Sequence, residues 1–172
     1  VDYAVGSNPY GIVVHDMDGD GKPELISGNG GSGQISVLRN NSVSGTINAS
    51  SFGAAVNFFA GSACNGIAVG DLDGDGKPDV VTANQSSTTM SLLRNTCTTG
   101  TITTGSFAAK YDIATGSNPS DVAITDFDDD GKPEIALTNG NGTILSIYKN
   151  TATSGTITAS SFAAAVNFTS AG

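Results

Sequence analysis

The chain has 172 residues, 38% hydrophobic and only 13% charged, with 23 glycines and no tryptophan. Sixteen acidic residues against seven basic ones give a formal charge of −9. This argues against a nucleic-acid partner, because phosphate recognition needs clustered cations. Few charges and many β-branched residues also exclude a disordered chain, and no apolar run approaches the ~20 residues of a membrane-spanning helix.

Taken in chain order, the first 55 residues predict four short strands. Residues 11–15 (GIVVH) are continuously apolar, as expected of a strand buried on both faces. Residues 24–27 form the second, and residues 34–38 (QISVL) form a β-branched third. Residues 51–58 alternate, with Phe52, Ala54, Val56 and Phe58 on one face. Clusters of Gly, Asn, Asp and Ser between them are turn chemistry.

The pattern then returns twice. Asp16, Asp71 and Asp126 are 55 residues apart, as are Gly6, Gly61 and Gly116, and Phe52, Phe107 and Phe162. The chain divides into repeats at residues 1–55, 56–110 and 111–165, with residues 166–172 starting a further one. Val1, Asp2 and Tyr3 align with the end of the fourth strand. Four strands per repeat predict an all-β fold built of β-propeller blades.

Each repeat carries one aspartate-rich loop after its first strand. The loops are DMDGDGKPE from Asp16 to Glu24, DLDGDGKPD from Asp71 to Asp79, and DFDDDGKPE from Asp126 to Glu134. Carboxylates stand at positions 1, 3, 5 and 9: Asp16, Asp18, Asp20 and Glu24, then Asp71, Asp73, Asp75 and Asp79, then Asp126, Asp128, Asp130 and Glu134. The position-6 glycine permits the sharp turn that wraps the chain around an ion. At position 7, Lys22, Lys77 and Lys132 can offer a backbone carbonyl, with the side chain directed to water. Hard cations take six to eight oxygens, and four carboxylates gathered within ~5 Å repel one another strongly without one. Oxygen-only ligands in a flexible acidic cage favour Ca²⁺ over Mg²⁺, one ion per loop. The single His and two Cys do not cluster as zinc ligands would. An EF-hand is excluded, since its position-12 Glu is replaced by Ser27, Thr82 and Leu137.

With these loops and their following apolar strands, the whole chain resembles the FG-GAP/VCBS family of integrin-like calcium-binding repeats. The resemblance implies propeller blades with Ca²⁺ held between the first and second strands. The phenylalanine–glycine signature survives only as Phe52-Gly53, and Asp129 stands where position 4 is glycine in the other loops.

The function this implies is non-catalytic. The expected protein is an extracellular, secreted or cell-surface module for adhesion, ligand display or assembly, with a protein or glycan ligand and neighbouring repeats or protomers as partners. A structural subunit of an extracellular filament and a carbohydrate-binding propeller are the alternatives. One histidine, His15, gives no basis for a Ser–His–Asp constellation. Cys64 and Cys97 could pair, stay free or pair with another chain. Sequons at Asn40, Asn48, Asn84, Asn141 and Asn167 point to surface turns open to glycosylation. Three blades leave two open sheet faces, expected to be lined by Ile12, Val14, Ile35 and Val37. The chain is therefore expected to be part of a longer chain or one protomer of an assembly.

Overall fold

The computed structural model describes residues 1–140 and 143–169. The sequon at Asn141 and residues 170–172 of the expected further repeat lie outside them. The described residues contain twelve strands and no helix. The strands are β1 (Pro9–His15), β2 (Glu24–Asn29), β3 (Gln34–Leu38), β4 (Val56–Phe59), β5 (Cys64–Gly70), β6 (Asp79–Asn84), β7 (Thr89–Leu93), β8 (Tyr111–Ala114), β9 (Pro119–Thr125), β10 (Glu134–Asn139), β11 (Ile144–Tyr148) and β12 (Val166–Thr169). Each run of four consecutive strands forms one antiparallel sheet in chain order. The sheets span residues 9–59, 64–114 and 119–169, so they keep the 55-residue period. Each begins with a bulged pairing: Pro9 with Asn29, Cys64 with Asn84, Pro119 with Asn139.

The 51–58 segment is not one strand. Only Val56–Phe59 pairs along β3, while Phe52 makes an isolated bridge to Asn40. The alternation of apolar residues instead lets Phe107 and Phe162 fill the gaps between sheets. Phe52 stacks edge-on against Tyr3, at 5.4 Å between ring centres. Residues 1–3 form no strand.

Strand alternation gives each sheet two working faces. Ile26, Ile35, Val37 and Phe58 of the first sheet pack against Ile67, Val80 and Leu93 of the second. The opposite face of the second sheet, with Val81, Ala83, Met90 and Leu92, packs against Val122, Ile135 and Leu137 of the third. Ile35 and Val37 are therefore fully buried, not on an open face. Neither is β1 buried on both sides: Ile12 and Val14 are 65% and 57% exposed. The face they share has no sheet against it among the described residues. Phe168 and Val166 likewise line the outer face of the third sheet.

A polar ladder crosses each sheet beside this apolar packing. Ser27 donates to the Asn29 carboxamide oxygen, Asn29 Nδ2 donates to Ser36 Oγ at 2.9 Å, and Ser36 Oγ donates to Asn57 at 2.6 Å. Thr82, Asn84, Ser91 and Asp112 repeat it. In the third sheet Leu137 replaces the first hydroxyl, and among the described residues only Ser146 to Asn167 remains of the ladder.

Cys64 and Cys97 are separate buried free thiols. Cys64 lies under Asn29 and Gln34, and Cys97 beside Ser106. The sequon asparagines Asn40 and Asn84 are buried. They spend their amides on internal hydrogen bonds, so they are not the surface turns their sequons indicate. Asn48 and Asn167 are exposed.

Ile12 and Ile67 hold the same place in successive repeats with opposite burial. Ile67→Ala should lower unfolding free energy by about 2–5 kcal/mol. Ile12→Ala should lower it by about 0.5 kcal/mol or less. Urea unfolding of the two variants measures the difference.

Candidate metal centres

Each acidic loop joins the first and second strands of its sheet, as the motif predicts. The backbone turns through the left-handed region at position 6, where Gly21, Gly76 and Gly131 have φ of 85°, 84° and 83°. A side chain there would strain the turn. At position 4, Gly19 and Gly74 are also left-handed, and Asp129 keeps that conformation with φ 58°. Aspartate is among the few residues that tolerate it, so the third loop retains the same path.

The position-1 carboxylate folds the loop around itself. Asp16 Oδ1 accepts from Asp20 N at 3.2 Å, and Oδ2 from Gly21 N at 2.8 Å. Asp71 and Asp126 accept the equivalent bonds. The position-9 carboxylate ties the loop to the sheet. Glu24 accepts from Met17 N at 2.8 Å and from Asn40 N at 3.2 Å. Asp79 does the same for Leu72 and Asn95, and Glu134 for Phe127 and Asn150.

Three carboxylates meet in each loop. Oxygens of Asp16, Asp18 and Glu24 lie within 4.8 Å of one another, as do those of Asp71, Asp73 and Asp79, and those of Asp126, Asp128 and Glu134. Positions 1, 3 and 9 are thus brought together. Position 5 stands outside the groups. Asp20 Oδ1 accepts from Lys22 N and its Oδ2 is held by Arg39, and Asp75 and Asp130 behave alike. At position 7 Lys22 and Lys132 are exposed and Lys77 is half-buried, yet the ammonium of each is tethered. Lys22, Lys77 and Lys132 donate to the carbonyls of Ser42, Cys97 and Ala152 at 3.2, 3.0 and 2.9 Å. Each one staples its loop to the turn after the third strand.

A basic residue at the end of each third strand also faces the loop. Arg39 forks across Asp18 and Asp20 at 2.9 and 2.8 Å, and Arg94 across Asp73 and Asp75 at 2.6 and 2.8 Å. Lys149 reaches Asp128 and Asp130. Arg39, Arg94 and Lys149 recur at the 55-residue spacing, a signal that focusing on the acidic motif alone passes over. They pair with the carboxylates at positions 3 and 5. Glu24 and Asp79 at position 9 have no such partner among the described residues, and Lys149 stands 3.9 Å from Glu134. Burial pushes the Glu24 carboxyl up despite its two backbone donors, and neighbouring Asp18 and Asp16 push the same way. Burial raises Asp79 further, to about 7, with Asp73 and Asp75 adding repulsion. Lys149 holds the exposed Asp130 below the usual carboxylate range. A buried, hydrogen-bonded, oxygen-only set whose inner carboxylate resists ionisation is suited to a hard divalent cation, which would restore the ionised form.

The first two loops are also gripped by the following repeat. Asn95 Nδ2 donates to Met17 O at 2.8 Å, and Gly100 N to Asp18 O at 3.0 Å. Asn150 Nδ2 and Gly155 N repeat this on Leu72 O and Asp73 O. Met17 and Leu72 are buried in these seams, whereas Phe127, at the same place in the third loop, is 54% exposed.

In chelated protein the Asp79 carboxyl titrates near 7 in the fold against 3.8 as its ordinary value. The folded state then binds the extra proton. Its contribution is fully present below about pH 4 and is lost as pH rises through about 7. Stability of the chelated protein should therefore fall across that range. Asp79→Asn should remove the slope, as urea unfolding at several pH values would show.

A family profile described as an FG-GAP-like repeat matches residues 16–82 and again residues 71–137. Each match starts at the first aspartate of one loop and ends within the second strand of the next sheet. No curated protein matches the chain.

Proposed function

Because the chain belongs to the FG-GAP-like repeat family, we propose that it is a non-catalytic, calcium-binding β-propeller module that works outside the cell. The observation that carries this reading is the threefold recurrence of one oxygen cage, built from the same loop positions each time. Calcium is the cation chosen, because it accepts carboxylate and carbonyl oxygens in a flexible cage. Asp16, Asp18 and Glu24 would hold it in the first loop, with Asp71, Asp73 and Asp79, and Asp126, Asp128 and Glu134, in the others. Bound calcium supplies charge neutralisation that stiffens the loop and the seam gripping it. Extracellular modules typically bind it at ~10⁻⁴–10⁻³ M.

The blade arrangement is supported by the way successive sheets meet. β5 lies against both β1 and β9, as the inner strands of adjacent blades would. The described residues include no helix long and apolar enough to cross a membrane. A rigid face of loops suits adhesion or display toward a protein or glycan at a cell surface.

Assembly with further repeats or protomers is the second reading, favoured by matched outer faces. Ile157 is buried in the seam beside Leu72, and Ile102 packs in the seam that holds Met17. Their counterparts at the two ends, Ile47 and Phe127, are both exposed. One end thus offers the side chain that the other end lacks.

Calorimetric titration of metal-free protein should find three calcium sites, the third weakest because no following repeat grips its loop among the described residues. Asp18→Ala should abolish only the first. At a tenfold excess over Kd, each site adds about 1.4 kcal/mol, so chelation should lower the melting temperature. No calcium heat together with a melting curve indifferent to chelator would contradict the reading.

A further inference from the structure

The two seams between sheets are built to one plan but not from the same residues. At the outer edge of the first seam, Phe59 and Lys110 stand against each other, with Phe59 62% exposed and a cavity of about 360 Å³ beside them. Lys110 Nζ lies 5.6 Å from the Phe59 ring centre and is paired to Asp112 at 2.5 Å. In the second seam the same positions are Ala114 and Ala165, and Asp112 is replaced by Asn167. An aromatic ring, a lysine and a carboxylate are lost together. What remains is a cleft of about 390 Å³, with Asn139 on its floor and Tyr148 in its wall.

The floor is polar and unfinished. Asn29 and Asn84, the equivalents of Asn139, have their carboxamides satisfied on both sides by the ladder. Asn139 is only 8% exposed, yet neither its oxygen nor its nitrogen has a partner among the described residues. The hydroxyl that would donate to the oxygen is absent, because Leu137 stands where Ser27 and Thr82 stand. A buried amide left unpaired is costly and needs an explanation. Asn167 and Ser146 line the same cleft and are bonded to each other. Tyr148 is pinned through its hydroxyl to Ala114 O at 3.3 Å, which fixes the ring in place.

We propose that this cleft binds a single uncharged sugar unit. Among the described residues no acidic, basic or imidazole side chain lines it, so an ionic ligand would lose its hydration without compensation. Carboxamides and hydroxyls offer donors and acceptors side by side, and Ala114, Ile144 and Ala165 offer an apolar surface. A sugar ring combines neighbouring hydroxyls with an apolar C–H face and matches both. The volume lies at the low end of the ~300–1,000 Å³ usual for small-ligand pockets, which fits one ring. The cleft contains none of the loop carboxylates, so the inference stands apart from the calcium reading.

The test is side-chain amide NMR of the calcium-loaded protein, titrated with free glucose, galactose, mannose and N-acetylglucosamine. At least one should shift the Asn139 and Asn167 amide signals saturably. The double variant Ala114→Phe/Ala165→Lys, which rebuilds the plug of the first seam, should weaken that binding more than tenfold with melting temperature and calcium stoichiometry retained. If the double variant does not fold, Ala165→Lys alone, at a partly exposed position, should weaken binding in the same direction. Failure of all four sugars to give a saturable shift would overturn the proposal. So would binding that survives unchanged in a folded plugged variant.

Discussion

A buried carboxylate at the first residue of each second strand is the constraint on which the rest of the structure depends. Glu24, Asp79 and Glu134 are almost wholly removed from water. Each accepts one N–H from the start of its loop and one from the exit of its third strand. That fixes the loop against the sheet at the cost of burying a charge beside two other carboxylates. Hydrogen bonds to backbone offset part of this cost. Arg39 and Arg94 offset another part, but they bond the carboxylates at positions 3 and 5 and not the one at position 9. The charge left over is what a divalent cation answers.

The loops are also where one repeat takes hold of the next. Asn95 bridges the Pro78 carbonyl of its own repeat and the Met17 carbonyl of the preceding one, and Asn150 does the same for Pro133 and Leu72. Two protons of one amide thus join an acidic loop to its neighbour. Stiffening a loop stiffens the seam below it, and a well-packed seam presents a preorganised loop. The third loop has no such grip among the described residues, and its Asp128 side chain is 49% exposed, against none for Asp18 and Asp73.

Much of this was legible in the sequence because repetition multiplies weak signals. The third strand falls at residues 34–38 as expected. The loops lie between first and second strands, and the position-6 glycines take the left-handed turn. The exposure of Ile12 and Val14 follows from the open face of a three-sheet stack; the continuous apolar run by itself reads as burial on both faces, since it does not say whether a neighbouring sheet is present. Residues 51–55 alternate like a strand, but strand formation needs a pairing partner, and only Phe52 has one. The basic residues at 39, 94 and 149 were visible at the right spacing, but their role depends on where a third strand ends relative to a loop. The shrinkage from Phe59 and Lys110 to two alanines could be aligned from sequence alone. That these positions face each other across a seam could not.

The most direct test of the account is a crystal structure of the protein grown with calcium and measured for anomalous scattering. The account predicts an ion in each of the first two loops, touching Asp16, Asp18 and Glu24 in one and Asp71, Asp73 and Asp79 in the other, with Arg39 and Arg94 still on the outer carboxylates. Loops without ions at saturating calcium, with the same carboxylates bonded only to protein, would contradict it.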